Sequence, residues 1–472
     1  MASFAINGTV TTTQNLLANE DGILGPNGAI LVIAGNGILG SGFSHELAID
    51  GSVMSTSSHA VVFESLNVDM VIGPNGSIVS TSGIALLSSA ALQSTISNAG
   101  TISGRYYGVW VQAADDFANG TLINSGIISG NQAAVRFEAN GNYGNISNSG
   151  TILWLYVGVD NSDSMIAVVT DNSGLIQGHM AYNGSDFVDS ITNSGTMHGD
   201  IFLNGRNDFY DGRYGLAAGT IYGGTGNDLI MGGAEDNVID GGSNEDSLYG
   251  YGGDDTLMGG NGFDVVFGGD GNDALLGDNG DDTLFGNAGN DTLYGGIDND
   301  SLNGGANEDS LSGDYGNDSL SGGNGFDSLF GGANEDRLNG GYGGDVLHGD
   351  NGRDTLFGDN GNDSLFGDNG TDTLDGGNGD DSLTGGVDSD VFVFVGTFGD
   401  DTITDFDAFD DAEVIDLSGV ASITGFADLT SVSSPHMTQD GANVVIDDFA
   451  GNTITVLNTL IGDMNAADFV FV

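Results

Sequence analysis

Two spacings of apolar residues divide the chain. Over residues 1–222, short apolar stretches rich in Ile, Val, Ser and Thr recur about every 24 residues, and each follows a turn containing Gly. Over residues 223–393, one large apolar residue, most often Leu, recurs every nine residues between small polar ones. Both patterns predict short β-strands that direct single side chains into a core and repeat along the chain.

The slower repeat begins with Asn in most of its copies. It reads NAGTISG from Asn98, NSGIISG from Asn124 and NSGTILW from Asn148. A period near 24 residues is typical of one coil of a parallel β-helix. Because Asn recurs at the same place in each coil, we expect the Asn side chains to stack in a hydrogen-bonded ladder. Residues 1–204 are predicted to form this solenoid, and residues 205–222 a junction.

The faster repeat is unusually regular. Residues 223–393 divide into 19 units of nine without an insertion, with Gly first in all 19, Gly fourth in 13 and Asp sixth in 18. Gly at positions one and four permits positive φ and a sharp turn that exposes backbone carbonyls. Asp at position six would stack carboxylates in successive coils, and these repel unless cations lie between them. Carboxylate and carbonyl oxygens are hard ligands that suit Ca²⁺.

Composition supports cation binding and excludes other classes of protein. The chain has 472 residues with 67 acidic and 6 basic side chains, a net charge of −61, and it contains no Cys. A nucleic-acid binder is excluded because phosphate contacts need Lys and Arg. A disulfide scaffold and a thiolate metal site are excluded as well.

The charge of the repeat block also suggests how many ions it binds. Residues 223–393 hold 36 acids and 2 bases. If two nonapeptides form one coil, each unit lies beside the second unit after it. One Ca²⁺ for each such pair would roughly neutralise the block, so we expect about 10 to 17 ions.

The units match G-G-x-G-x-D-x-U-x and resemble the RTX repeat, also called the haemolysin-type calcium-binding repeat. The resemblance implies a parallel β-roll. In this fold a six-residue loop binds Ca²⁺ through backbone carbonyls and the position-six Asp, and the last three residues form a strand. On this resemblance the calcium ligands are Asp228, Asp246, Asp255, Asp264, Asp273, Asp282, Asp291, Asp300, Asp309, Asp318, Asp327, Asp336, Asp345, Asp354, Asp363, Asp372, Asp381 and Asp390.

A few units depart from the motif. In residues 232–240, Glu235 replaces the fourth-position Gly and Asn237 replaces the Asp, so we expect a weak or empty site there. Other units replace only the fourth-position Gly, with Asn or Asp. Because these two residues tolerate left-handed backbone, we expect their loops to be kept. The residues are Asn244, Asp298, Asn307, Asn334 and Asp388.

Residues 394–472 are predicted to form a C-terminal β cap. DVFVF at 390–394, GDDTITDF at 399–406 and IDLSG at 415–419 resemble the segment that follows RTX blocks in serralysin-like secreted proteins. Alternating apolar residues predict strands that close the open end of the roll, with a hairpin within 436–472. Four nearby acids are candidates for one further ion, namely Asp400, Asp401, Asp405 and Asp407.

The resemblance of the C-terminal segment also implies an uncleaved type I secretion signal. The first residues lack the basic segment and long apolar run of a cleavable signal peptide. No stretch reaches the roughly 18 apolar residues of a membrane helix. We therefore expect an extracellular protein that partners with a type I secretion exporter, has no transmembrane segment and has no cleavable N-terminal signal peptide.

Two polar groups in residues 1–222 are candidate substrate sites, because Arg, Tyr and Asp could bind a uronate or abstract a proton. The second lies in NGRNDFYDG at 204–212, which resembles a decayed nonapeptide, so a capping role is favoured there over catalysis. The first group is Arg105, Tyr106 and Tyr107 with Asp115 and Asp116; the second is Arg206, Asp208, Asp211 and Arg213 beside Tyr210 and Tyr214.

These observations predict an all-β chain: an N-terminal parallel β-helix-like solenoid, then a calcium-binding parallel β-roll in residues 223–393, then the β cap. The favoured function is a secreted calcium-binding protein with a structural, adhesive or surface-matrix role, with surface glycans as candidate partners. The alternative is a polysaccharide lyase or epimerase carried on the N-terminal solenoid. Converging Arg, Tyr and Asp side chains near Arg105 and Arg136 would favour the enzyme, and a flat Asn/Ser/Thr face would favour adhesion.

Overall fold

A computed structural model describes most of the chain and confirms the all-β parallel solenoid. Within the described residues, the only helices are the α-helix Phe426–Leu429 and the 3₁₀ helix Ala466–Asp468. The chain divides into two compact units, residues 1–251 and residues 252–472. The described residues are 2–6, 9–10, 12, 14–16, 21–24, 29–32, 37–88, 93–113, 119–139, 143–153, 155–164, 167–410, 412–431 and 434–471.

The strands of residues 1–251 pair in parallel, each with the strand one coil further along. They are Ala2–Ile6, Thr9–Val10, Gln14–Leu16, Asp21–Leu24, Ala29–Val32, Ile38–Ile49, Ser52–Ser55, Val61–Ile72, Ser77–Ser80, Leu86–Ser88, Gln93–Asn98, Thr101–Gly104, Tyr107–Ala113, Asn119–Asn124, Ile127–Ser129, Ala133–Ala139, Tyr143–Asn148, Thr151–Leu153, Val157–Asp160, Ala167–Asn172, Leu175–Asn183, Asp189–Asn193, Thr196–Gly205, Phe209–Asp211, Leu216–Ala217, Thr220–Thr225, Leu229–Gly233, Val238–Ser243 and Ser247–Gly252.

The predicted Asn ladder is present in residues 1–251. The Asn98 Nδ2 donates to Asn124 Oδ1 at 2.8 Å. The same bond, also at 2.8 Å, links Asn124 to Asn148, Asn148 to Asn172 and Asn172 to Asn193. These side chains are buried, with 2% or less of their surface exposed. The ladder therefore fixes the coil register where each strand turns.

The coils of residues 1–251 become shorter along the chain. Successive Asn residues of the ladder are 26, 24, 24 and finally 21 residues apart. Strand Thr220–Thr225 then pairs with Val238–Ser243 in a coil of two nonapeptides, with Ile221 beside Ile239. Both of these Ile side chains are fully buried. Within this unit the solenoid passes from the slower repeat to the faster one without losing its core.

In residues 252–472, a coil consists of two nonapeptides, as the sequence predicts. Leu257 lies beside Leu275, and Leu275 lies beside Leu293. These Leu side chains are fully buried and form the core. The strands of the repeats are Thr256–Asn261, Val265–Asp270, Ala274–Asn279, Thr283–Ala288, Thr292–Ile297, Ser301–Ala306, Ser310–Tyr315, Ser319–Asn324, Ser328–Ala333, Arg337–Tyr342, Val346–Gly352, Thr355–Asn360, Ser364–Gly370, Thr373–Asp375, Ser382–Val387 and Val391–Val395.

The strands of the repeats are longer than the motif implies. The expectation was a strand of three residues and a loop of six. Strand Thr256–Asn261 instead continues through the first three residues of the next nonapeptide, and its pairing with Ala274–Asn279 includes Gly260 beside Asp278. The expectation was wrong because successive turns have the same backbone and stack closely enough for hydrogen bonds to continue through them.

The C-terminal residues form the expected cap on the repeats of residues 252–472. Strand Asn443–Asp447 pairs antiparallel with Thr453–Val456, which confirms the hairpin. Thr453–Val456 also pairs in parallel with Asp400–Ile403 and so joins the hairpin to the solenoid. The remaining cap strands are Val414–Gly419, Met437–Asp440 and Phe469–Val470.

Candidate metal centre

All eighteen predicted aspartates are buried at the turns of the solenoid, each with 3% or less of its surface exposed. Burial of a carboxylate is costly unless hydrogen bonds or a cation compensate for the lost water. The environment of these carboxylates therefore decides what the repeats can bind.

The aspartates of residues 252–472 form two hydrogen-bonded ladders. The backbone N–H of an Asp donates to the Oδ1 of the Asp 18 residues later, as from Asp273 to Asp291 at 2.8 Å and from Asp282 to Asp300 at 2.8 Å, and the last bond, to Asp401, spans 20 residues. One ladder runs from Asp264 to Asp390 and the other ends at Asp401. Each ladder thus stacks one carboxylate per coil along one edge of the solenoid.

The second carboxylate oxygen has no such donor. At many rungs Oδ2 is buried and accepts no hydrogen bond from the described residues. An unsatisfied buried acceptor costs about 1–3 kcal/mol, more when charged. A repeated row of such oxygens is expected where a cation supplies the missing partner. These residues are Asp273, Asp282, Asp291, Asp300, Asp309, Asp318, Asp327, Asp336, Asp345, Asp354, Asp363, Asp372, Asp381 and Asp401.

The first-position Gly is required by this carboxylate. A Cβ on Gly349 would lie 2.7 Å from the Oδ2 of Asp354 and 2.8 Å from the carbonyl oxygen of Gly367. A Cβ on Gly277 would lie 2.5 Å from the Oδ2 of Asp282. A larger residue at either of these two positions would therefore displace the carboxylate or the next coil.

In most units the fourth-position residue turns the chain with left-handed backbone. Gly271 has a φ of 137°, and a Cβ there would overlap the carbonyl oxygen of Gly253 one coil earlier. The structure confirms that Asn and Asp substitutes keep this conformation, with φ between 80° and 91°. These substitutes are Asn244, Asp298, Asn307, Asn334 and Asp388.

Burial raises the pKa of the ladder carboxylates in the metal-free chain, and neighbouring carboxylates add to the effect at many rungs. The cost of ionising the ladder without a counter-ion is therefore high. The pKa is raised to about 6 at Asp291, Asp318, Asp327, Asp372 and Asp381, to about 7 at Asp282, Asp309, Asp354 and Asp390, and to about 8 at Asp300, Asp336, Asp363 and Asp401.

The donor set fits a hard cation such as Ca²⁺. Each turn offers one buried carboxylate oxygen, and tight glycine turns bring backbone carbonyls of successive coils close together. Among the residues that the structure describes, no group of three or more His, Cys, Asp or Glu could hold a metal by side chains alone. The backbone carbonyls would have to complete the coordination, which Ca²⁺ accepts and softer metals disfavour.

In residues 1–251 the ladder extends beyond the predicted repeats. Asp189 N–H donates to Asp208 Oδ1 at 2.6 Å, Asp208 N–H to Asp228 Oδ1 at 2.7 Å, and Asp228 N–H to Asp246 Oδ1 at 2.7 Å. The sequence placed Asp208 in a candidate substrate group, with a capping role favoured, and did not identify Asp189. The signal that was available is the acidic residue about 20 positions before Asp228, which a search restricted to nine-residue phase misses.

Asn237 occupies the place of the missing Asp in its unit. Its Oδ1 accepts a hydrogen bond from the backbone N–H of Gly233 at 2.7 Å, four residues earlier in the same turn. An amide oxygen carries no full charge, so the weak or empty site at this unit stays a prediction.

The four acids proposed for one further ion do not converge. Only Asp401 joins a ladder. Asp400 accepts a hydrogen bond from the Thr453 hydroxyl at 2.7 Å, Asp405 accepts from Gly385 N–H at 3.0 Å, and Asp407 accepts from a nearby backbone amide. The expectation of a shared site is wrong because three of the four carboxylates satisfy separate local donors.

Residues 1–251 also contain an open groove of about 520 Å³, lined by Tyr106, Tyr107, Trp110 and His59 together with Ser82 and Gln132. The His59 Nδ1 accepts a hydrogen bond from a backbone amide, and burial lowers the pKa of His59, so the neutral ring carries its proton on Nε2. The groove therefore combines aromatic faces with uncharged polar groups.

Arg136 lies behind the aromatic wall of this groove. Its guanidinium is 5.5 Å from the ring centroids of Tyr107 and Trp110. It pairs with Asp160 at 3.0 Å and with Asp163. Although burial acts to lower it, these carboxylates raise the pKa of Arg136. The Arg105 guanidinium instead lies 5.8 Å from the Tyr106 ring centroid, and Asp115 and Asp116 lie outside the described residues.

The second candidate substrate group does not assemble. Tyr210 and Asp208 are buried. Arg213 pairs with Asp211 at 2.8 Å, while Arg206 lies 5.9 Å from the ring centroid of Phe187. Catalysis at this group is not supported, because its buried members belong to the core and the ladder.

Comparison with known proteins gives a family match for the repeats. Residues 215–403 match the family described as RTX calcium-binding nonapeptide repeat. The extracellular lipase LipA from Serratia marcescens is a similar solved structure, with 19% identity and a TM-score of 0.23 over 44% of this chain. The chain spans only 40% of that lipase. No curated protein sequence matches the chain. Within the described residues, no helix has the length and hydropathy of a membrane span.

Proposed function

Residues 215–403 of this chain are RTX calcium-binding nonapeptide repeats, and on that premise we propose a secreted protein whose repeat block folds around Ca²⁺ outside the cell. The observation that carries the proposal is the row of buried Asp Oδ2 atoms without a hydrogen-bond donor. Divalent cations between successive turns would satisfy these oxygens and neutralise the stacked carboxylates.

Each part of a nonapeptide has a role in this proposal. Bound Ca²⁺ would supply positive charge and would be coordinated by about six to eight oxygen atoms. The position-six Asp presents Oδ2 and uses Oδ1 to fix the preceding coil. The fourth-position residue turns backbone carbonyls toward the next coil, and the first-position Gly leaves room for the carboxylate. We propose all eighteen predicted aspartates as ligands, with about 10 to 17 ions per chain.

The negative charge of the repeat block also supports the proposal of secretion. Without cations, 36 acids against 2 bases in residues 223–393 oppose folding of a Gly-rich segment. Extracellular calcium modules typically bind at about 10⁻⁴–10⁻³ M, far above cytosolic calcium. An unfolded chain suits passage through a type I exporter, and residues 394–472 are the proposed signal. The proposed domains are 1–204, 205–222, 223–393 and 394–472.

Calcium counting tests the proposal directly. The full chain, equilibrated by dialysis against millimolar Ca²⁺, should hold about 10 to 17 Ca²⁺ per chain in excess of the dialysate, as counted by mass spectrometry of the metal. An equal concentration of Mg²⁺ should not replace them, because Mg²⁺ demands a rigid octahedral site. Retention of one or two ions would contradict the proposal.

For the biological role we propose adhesion to a neutral glycan through the groove of residues 1–251. Tyr106 and Trp110 offer aromatic faces for sugar rings, and Gln132 offers hydrogen bonds to hydroxyls. Arg136 is already compensated by Asp160 and Asp163. An anionic sugar would therefore meet a neutral-to-acidic wall, and the exposed Arg105 is the cation that could attract it among the neighbouring residues that the structure describes.

Glycan binding can be measured with a matched pair of variants. Tyr106→Ala should lower affinity for immobilised neutral oligosaccharides about tenfold, because Tyr106 lines the groove and is 42% exposed. Tyr156→Ala removes a 60% exposed Tyr that does not line the groove and should have no effect. Equal binding by both variants, or preference for uronates, would contradict this role.

A polysaccharide-modifying enzyme remains the second candidate. The observation in its favour is the convergence of Arg136, Tyr107 and Asp160, with Tyr107 Oη 3.5 Å from an Arg136 nitrogen. Incubation of the calcium-loaded chain with polyuronates and neutral polysaccharides should reveal new reducing ends or unsaturated sugars if this candidate is right. Turnover that is lost in Arg136→Lys and kept in Arg213→Lys would favour the enzyme over the adhesin.

A further inference from the structure

Residues 203–208 precede the matched repeats and yet have the backbone of a repeat loop. Asn204 and Arg206 both have a φ of 76°, at the places that correspond to positions two and four of a nonapeptide. They are the only non-Gly residues with positive φ among the described residues before Gly223. An Arg in this conformation is uncommon, so the surrounding structure must impose it.

The next coil stacks on this loop as one repeat stacks on another. Asn204 lies beside Gly224 in the parallel register. A Cβ on Gly224 would overlap the carbonyl oxygen of Asn204, and a Cβ on Gly226 would overlap that of Arg206. Two backbone carbonyls of this loop thus lie against the turn of the first matched repeat.

Asp208 completes the loop at the place of the position-six Asp. It is 3% exposed, and its N–H donates to Asp228 Oδ1 at 2.7 Å. Its own Oδ1 accepts from Asp189 N–H, whereas its buried Oδ2 has no hydrogen-bond partner among the described residues. This is the arrangement of a carboxylate inside the repeat block.

Asp189, one coil earlier, shows where the row of unsatisfied oxygens begins. Its Oδ1 accepts from Asn161 Nδ2 at 3.0 Å and from Tyr182 Oη at 3.2 Å. Its Oδ2 accepts from Ser185 N–H at 2.8 Å. The protein itself satisfies both oxygens of Asp189, so Asp208 is the first rung that needs an external partner.

We propose that the loop 204–208, with the carboxylate of Asp208 and the backbone carbonyls of Asn204 and Arg206, forms an additional Ca²⁺ site together with Asp228 of the first nonapeptide. The site joins the longer coils to the first nonapeptide coil within residues 1–251. It departs from the repeats at Leu203 and Arg206, which replace the first- and fourth-position Gly. The positive charge of Arg206 should make this site weaker than those of the regular block.

Hydrogen exchange of the full chain, measured by mass spectrometry with Ca²⁺ and with a chelator, tests the site. In the unmodified chain, Ca²⁺ should slow exchange in peptides covering residues 203–212. Asp208→Asn keeps the acceptor for Asp189 N–H and should make this exchange about tenfold faster in Ca²⁺. It should change nothing in chelator and leave the Ca²⁺ response of residues 268–393 intact.

Two further variants test whether the effect is specific to Asp208 and whether Arg206 weakens the site. Asp211→Asn removes a nearby carboxylate that pairs with Arg213, and it should leave the Ca²⁺ response of residues 203–212 unchanged. Arg206→Gly removes the positive charge and restores the repeat glycine, so the Ca²⁺ concentration that protects this segment should fall about fivefold.

The inference rests on the proposed calcium function, and the two can fail separately. Equal exchange of Asp208→Asn and the unmodified chain in residues 203–212, with residues 268–393 still protected by Ca²⁺, would overturn the additional site alone. Faster exchange of Asp208→Asn in chelator as well would also overturn it, since the role of Asp208 would then be structural. No Ca²⁺ response in residues 268–393 would contradict the proposed function itself.

Discussion

The backbone N–H of Asp300 donates to the Oδ1 of Asp318 at 2.7 Å, while the buried Oδ2 of Asp318 has no partner among the described residues. One oxygen of the carboxylate therefore sets the register of two coils, and the other is left for a ligand. Because this relationship recurs along both ladders, folding of the repeats and binding of cations are expected to be one process.

Removal of one rung should weaken the two sites next to it. Asp291 N–H donates to Asp309 Oδ1, and Asp291 Oδ1 accepts from Asp273 N–H. Asp291→Ala should therefore lower the number of bound Ca²⁺ by about two, as counted by metal analysis. Glu308→Ala removes an equal charge from an exposed position of the same block and should leave the count unchanged. An unaltered count in Asp291→Ala would show that this Asp is not a ligand.

A methyl group at a first-position Gly should disturb the carboxylate behind it. In Gly349→Ala the new Cβ would meet Asp354 Oδ2 at 2.7 Å and a backbone carbonyl at 2.8 Å. We expect a loss of about 1–3 kcal/mol in the free energy of unfolding in saturating Ca²⁺. Gly462→Ala meets nothing within 4 Å and serves as the control. Equal thermal stability of the two variants would argue against the packing described for this turn.

The metal-free chain should fold on acidification. Burial raises the pKa of Asp300, Asp336 and Asp363 to about 8, against about 4 in an unfolded chain. The folded state thus holds these protons more tightly. Its stability without Ca²⁺ is fully present below about pH 4 and is lost as the pH rises through about 6 to 8.

Circular dichroism in chelator measures this dependence. The β signal should be larger at about pH 5 than at pH 8, and Ca²⁺ should restore it at pH 8. As the pH falls from 8 towards 5, less Ca²⁺ should be needed to reach half of the folded signal, because protons already stabilise the folded chain. A larger β signal at pH 8 in chelator would refute the raised pKa values.

The Asn ladder should stabilise the chain independently of Ca²⁺. Asn148→Ala removes the bond accepted from Asn124 and the bond donated to Asn172, so each of these buried neighbours loses its shortest side-chain hydrogen bond on that side. We expect a loss of about 2–4 kcal/mol in the local free energy of opening, measured by hydrogen exchange of residues 143–175. Ser147→Ala changes an exposed neighbour as the control. A loss seen only in Ca²⁺ would link this ladder to the ions, contrary to the account.

The fold was predictable because both periods are set by local chemistry. One buried Leu in nine residues and left-handed turns at Gly, Asn or Asp define a coil of two nonapeptides, which the pairing of Leu257 with Leu275 confirms. The recurring Asn likewise predicted the ladder from Asn98 to Asn193. These features depend on side chains that repeat at fixed spacing, so sequence alone reveals them.

The ends of the carboxylate ladders were harder to predict. Asp208 and Asp401 join the ladders at separations of 20 residues, outside the nine-residue phase. Their roles depend on how the turns accommodate two residues more than the usual 18, and spacing alone cannot show this. For the same reason, sequence grouped Asp401 with Asp405, although the backbone directs them to separate donors.

Folding of the repeat block by Ca²⁺ can be measured directly by far-UV circular dichroism of the full chain during a Ca²⁺ titration. We expect a cooperative gain of β signal at about 10⁻⁴–10⁻³ M Ca²⁺ and no comparable gain with Mg²⁺. A β signal that is complete in chelator at neutral pH and unchanged by Ca²⁺ would contradict it.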